Sequence, residues 1–188
     1  MARKVKNTKA PKKNIVNRTP LKKNHVSISF SYKNWIKGFS NREFSTFTET
    51  EREFWDNFIY IMYELIPYVY ENWNGQRIAH CHAINDLGGV RSREAKKKYF
   101  SAIKSIHSEL KNNVLLENID NVEYSNGQLE DLELYQLGLT GSLRVICGKI
   151  GNTLYPMLID HHHLGYDSEQ HNQRDFSKFS YCPVESGK

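Results

Sequence analysis

The stretch Leu139-Thr-Gly-Ser-Leu-Arg-Val-Ile-Cys-Gly-Lys-Ile-Gly-Asn-Thr-Leu-Tyr-Pro-Met-Leu-Ile-Asp160 decides the fold class. Ser142 to Ile150 is rich in branched residues and reads as a strand. Gly151-Asn152 reads as a tight hairpin turn, because both residues tolerate the positive φ such turns require. Thr153 to Ile159 then returns as a second strand. Pro156 has no N–H for a ladder hydrogen bond, so it marks a sheet edge or a bulge. Just upstream, Leu134, Gln136 and Gly138 alternate with Tyr135, Leu137 and Leu139 before Thr140-Gly141 turns the chain, which adds a third strand.

Moving outward, Val26, Ile28, Phe30 and Tyr32 alternate with serines and predict a strand over 25–32. Thr48 and Glu51 have capping-box spacing. Behind them Phe54, Phe58, Ile61, Met62, Leu65 and Val69 make one apolar helix face, which Pro67 must kink or end. A second helix runs from Ser92 to about Leu110, with Ala95, Tyr99, Ile103, Ile106 and Leu110 inward. Strand, helix, helix and three strands joined by short turns predict an α+β domain over 25–188. The expected architecture is an antiparallel sheet of about four strands with a helical pair on one face. Residues 167–188 are expected to wrap the body as a C-terminal tail.

The charge is unevenly divided. The chain carries 26 Lys+Arg and 21 Asp+Glu, for +5 overall. Residues 1–25 hold nine of the basic groups (Arg3, Lys4, Lys6, Lys9, Lys12, Lys13, Arg18, Lys22, Lys23) and no acid, which leaves 17 − 21 = −4 for the rest. Segment 1–24 lacks apolar periodicity and is expected to be a disordered basic arm. Nine flexible cations condense on RNA or DNA with counterion release, which makes nucleic acid the expected partner. Lys149, Arg174 and Lys178 are additional candidate phosphate contacts. The three cysteines are widely spaced and read as cytosolic thiols, and neither a secretory leader nor a membrane span is expected. The expected location is cytoplasmic.

The densest polar cluster is Asp160-His161-His162-His163-Leu164-Gly165-Tyr166, at the end of the last strand. Histidine titrates nearest neutral pH, and a carboxylate can fix its tautomer, so the cluster is a candidate acid/base site. His80, His82 and His161 form a weaker candidate zinc set, without any compact ligand motif. No cofactor is expected.

Leu139 to Tyr166 resembles the C-terminal half of the RelE/HigB/ParE-type toxin superfamily. The likeness rests on Arg144 opening a strand, Gly151-Asn152 in the hairpin, Leu154-Tyr155 on the return strand, and Asp160, His163 and Tyr166 at its end. That resemblance implies a RelE-like fold and a toxin-type, metal-independent endoribonuclease acting on RNA or ribosomes, with an antitoxin as an added protein partner. It further implies Arg144 as anion stabiliser, His163 as acid/base, Asp160 as its orienter and Tyr166 as a stacking or proton-carrying group. The alternative is a non-catalytic binding or inhibitory protein, of phage or mobile-element type, that contacts nucleic acid or a nucleoprotein machine through its arm. A zinc-dependent hydrolase ranks third.

Overall fold

The computed structural model describes residues 25–73, 78–84, 89–107, 133–166 and 177–185. The basic arm, Leu110 and Arg174 lie outside these residues, as does most of the expected tail.

The chain is α+β, and its described residues form a five-stranded sheet in the order β1-β5-β4-β3-β2. The strands are β1 (Ser27–Ile28), β2 (His82–Ala83), β3 (Glu133–Leu137), β4 (Arg144–Ile150) and β5 (Thr153–Asp160). The sheet is mixed, not the four-stranded antiparallel sheet expected. β1 runs parallel to β5, while the other three pairings are antiparallel. The fifth strand, β2, is a two-residue edge that sequence periodicity does not reveal. The serine alternation at 25–32 also overstates β1, whose ladder covers only Ser27 and Ile28. The hairpin stands as read, with Ile150 paired to Thr153 across Gly151-Asn152. Pro156 sits beside a register shift, where Ile146 pairs with Leu158 but Cys147 with Pro156. That bulge spares the ladder a missing donor inside an otherwise paired strand.

The first helix begins at Glu51, with Thr50 as its cap. The Thr50 hydroxyl accepts the Glu53 N–H at 3.1 Å, and the Glu53 carboxylate accepts the Glu49 N–H at 2.8 Å. The cap therefore lies two residues beyond the predicted Thr48, which is buried and exchanges backbone bonds with Tyr181 instead. α1 (Glu51–Tyr60) passes through a π-helical turn, Ile61–Leu65, into α2 (Ile66–Asn72). Proline clashes with the carbonyl four residues back, and widening the turn ahead of Pro67 lets the rod continue. α3 spans Gly89–Ile106.

The helices do not form a pair on one face. Phe54, Ile61, Leu65 and Val69 pack in one cluster with Val145, Cys147, Leu154 and Ile159. Ala95, Tyr99, Ile103 and Ile106 pack in another with Leu134, Ile146, Tyr155 and Leu158. Neighbouring strand residues point to opposite faces, so the two helical layers cover opposite sides of the sheet. This arrangement explains why β5 is buried at every position from Leu154 to Asp160.

Candidate functional site

The chemistry-bearing side chains collect where β4 begins and β5 ends. Arg144 and Asp160 are directly paired across these strands. By alternation both face the α3 layer, together with Gln136 on β3 and its partner His82 on β2. Facing them from α3 is Tyr99, which donates its hydroxyl proton to Asp160 Oδ2 at 2.9 Å.

Asp160 is fully buried and saturated. Besides Tyr99 it accepts the Leu164 N–H on Oδ1 and the Gly165 N–H on Oδ2, both at 2.9 Å, and a longer bond from the His162 N–H at 3.4 Å. It thus organises the backbone of the turn rather than the ring of His163, the role expected of it. Burial, followed by the Asp160 charge, holds the Tyr99 phenol well above its ordinary pKa, so this group acts as a donor.

Arg144 is only 5 % exposed. Its Nη1 donates to the carbonyl oxygens of Gly141 and Leu143 at 2.8 and 2.7 Å. Burial lowers its pKa, an effect opposed chiefly by the negative charge of Asp160. Among the described residues its Nε, like Oε1 of buried Gln136, is a buried polar atom without a hydrogen-bond partner. Gly138 makes room for this guanidinium, since a Cβ there would lie 2.8 Å from Arg144 Cδ.

The four polar residues of the strand end go to different tasks. Asp160 turns toward α3. The adjacent His161 turns toward α1, where the Asn57 amide nitrogen donates to its Nδ1 at 3.0 Å, placing the neutral ring's proton on Nε2. Burial, then His162, drives the His161 pKa down to about 3. His162 stacks on Phe179 with ring centroids 3.9 Å apart, and Nε2 donates to the Phe47 carbonyl at 3.2 Å. It thereby ties the described part of the C-terminal segment to the body. His163 takes a left-handed turn, φ 59°, and stacks on Tyr166 at 5.6 Å. Tyr166 in turn is hydrogen-bonded to Ser92 of α3, and burial raises its pKa.

The expected quartet of Arg144, Asp160, His163 and Tyr166 is therefore neighbouring, but Tyr99 and backbone amides occupy its centre. The zinc set is not assembled. His82 lies on the α3 face and His161 on the α1 face, and among the described residues no three His, Cys, Asp or Glu side chains are placed to hold a metal ion. Lys149 faces the α1 side at the far end of β4 and pairs with Glu133 at 2.8 Å. Five strand residues, or about 16 Å, separate it from Arg144, so it does not share that site. Lys178 is exposed. The cysteines are free thiols, as expected, and all three are buried; among the described residues no helix is long and apolar enough to cross a membrane.

Sequence reasoning missed Tyr99, Asn57 and Gln136 as polar partners. The available signals were a hydroxyl within the helix's inward stripe and a Gln in register with inward-facing Leu134.

The family model for Uncharacterised protein UU032 matches residues 31–188. A relative from Ureaplasma parvum serovar 3, Uncharacterized protein UU032, is 42% identical over 186 residues, which covers 98% of this chain and 95% of the relative. No solved structure matches. The chain belongs to the UU032 family.

Proposed function

We propose that this member of the UU032 family is a non-catalytic, nucleic-acid-directed binding protein whose basic N-terminal segment contacts RNA, free or within a ribosome. The observation that carries this reading is the charge division, with nine Lys/Arg and no acid in residues 1–25. The strand-end geometry supports it as well. Asp160 already holds backbone amides and Tyr99, and the His161 ring is sealed between layers. The test is RNA binding across a salt series, for the whole chain and for a chain lacking residues 1–24. If all nine cations engage a single strand, log Kd rises with log salt with a slope of about 6, and deletion removes most of that slope. Equal binding by both proteins would sink the proposal.

One observation favours a second reading, a RelE-like fold with toxin-type endoribonuclease activity. Among the described residues Arg144 Nε is a buried donor without a hydrogen-bond partner, and such a donor suits an anionic oxygen. Labelled RNA and translating ribosomes incubated with wild type and with Arg144→Ala/His163→Ala decide it. Cleavage by wild type alone supports the enzyme, and absence of cleavage removes it.

A further inference from the structure

The acidic body that argues against nucleic-acid contact is not acidic everywhere. α3 carries Arg91, Arg93, Lys96, Lys97, Lys98 and Lys104 against Glu94 alone, 6 − 1 = +5. The opposite rod, residues 51–72, carries five acids against Arg52, 1 − 5 = −4. With the sheet between them, the two layers stand on the order of 20 Å apart, twice a ~10 Å packing distance. Physiological salt screens charge over about 8 Å, so each layer presents its own field to a partner.

Periodicity sorts the α3 cations further. Ala95, Tyr99, Ala102, Ile103 and Ile106 are buried against the sheet. Arg93, Lys97 and Lys104 lie on the opposite side within a narrow angular range, and all three are exposed. Their axial separations are about 6 and 10.5 Å. Long, flexible arginine and lysine side chains at these separations can reach neighbouring phosphates of one strand.

We propose that the exposed Arg93–Lys97–Lys104 row of α3 is a second contact for the phosphate backbone of nucleic acid, built into the folded domain. It rests on the nucleic-acid reading above and extends it from the arm to the body. Contact of this kind reads phosphates, so it positions the strand without choosing its sequence.

The test uses full-length protein and a labelled single-stranded RNA oligonucleotide across a salt series. One protein is wild type, one has its nine arm cations replaced by Gln, and a third adds Arg93→Gln/Lys97→Gln to that arm variant. Thermal melting of all three confirms folding, since the changed α3 side chains are exposed. The arm variant is expected to keep weaker, salt-sensitive binding. The two α3 changes then lower the salt slope by roughly 1.4 and weaken binding about tenfold at low salt. Two outcomes overturn the α3 contact: no residual RNA binding by the arm variant, or no effect of the added changes. In each of these wild-type RNA binding leaves the arm reading standing, whereas failure of wild type to bind RNA removes both.

Discussion

The two helical layers are built alike on the inside and differently on the outside. Each buries an aliphatic and aromatic stripe against one face of the same sheet. Outward, the rod over 51–72 shows Trp55, Ile59, Tyr63 and Tyr70 among acids, with Tyr63 78 % exposed. α3 shows arginine and lysine. The inner sides answer to one requirement, the removal of apolar surface from water, and so converge. The outer sides are under no such demand, and they diverge in charge. A single net charge for the body averages this contrast away.

The layers also differ in how they are fastened to the end of β5. Asp160 holds α3 through the Tyr99 hydroxyl, and His161 holds α1 through the Asn57 amide. The largest expected effect comes from breaking the first of these. Asp160→Ala strands the Tyr99 hydroxyl and the Leu164 and Gly165 N–H groups, at a cost of about 3–5 kcal/mol. Urea unfolding measures it, and a loss below about 1 kcal/mol would show that this carboxylate is not the fastener described here.

Gly165→Ala tests the same fastener by steric means, since a Cβ at 165 would overlap the Tyr99 ring. Separating the turn from α3 in this way should cost roughly 1–3 kcal/mol in the same unfolding experiment. An unchanged midpoint would mean that the turn and the helix can part freely.

The α1 fastener is sharpened by pH. His161 has a folded pKa of about 3 against 6.5 when unfolded. Above 6.5 both states are neutral at this site, and the group contributes no pH dependence. As pH falls from 6.5 toward 3, the unfolded chain takes up the proton first and stability is lost. His161→Phe lacks this term, so its stability relative to wild type should improve by about 2–3 kcal/mol between pH 7 and about pH 4.5. A difference that stays constant over that range would show that His161 titrates normally in the folded protein.

The smallest effect is expected on the outer surface of the acidic rod. Tyr63→Ser should change stability by less than about 0.5 kcal/mol in thermal melting, because little of this ring is buried. A larger loss would mean that the exposed stripe has a packing role within the molecule.

Much of the site's vocabulary was visible in the chain before folding, and little of its grammar. Asp160 to His163 stood out as a polar run at a strand end, and a shared acid/base role was the natural reading. Tertiary packing divides the run instead. Alternation along β5 sends Asp160 and His161 to opposite faces, His162 meets Phe179, and a left-handed turn at His163 redirects it to Tyr166. Tyr99 was legible only as part of an apolar stripe, because its hydroxyl partner lies 61 positions away.

By itself, the sequence determined the features set by neighbours in the chain: the Gly151-Asn152 hairpin, the irregularity at Pro156, the inward faces of the helices and the basic N-terminal segment. Turn conformations, helical stripes and local charge depend on residues a few positions apart. Only the tertiary structure decided that the helices flank the sheet, that β1 joins it in parallel, and that a mildly acidic body has one basic face. Periodicity shows that a helix has an apolar side, but two apolar sheet faces compete for it. The path of the chain between distant elements settles which face each helix covers.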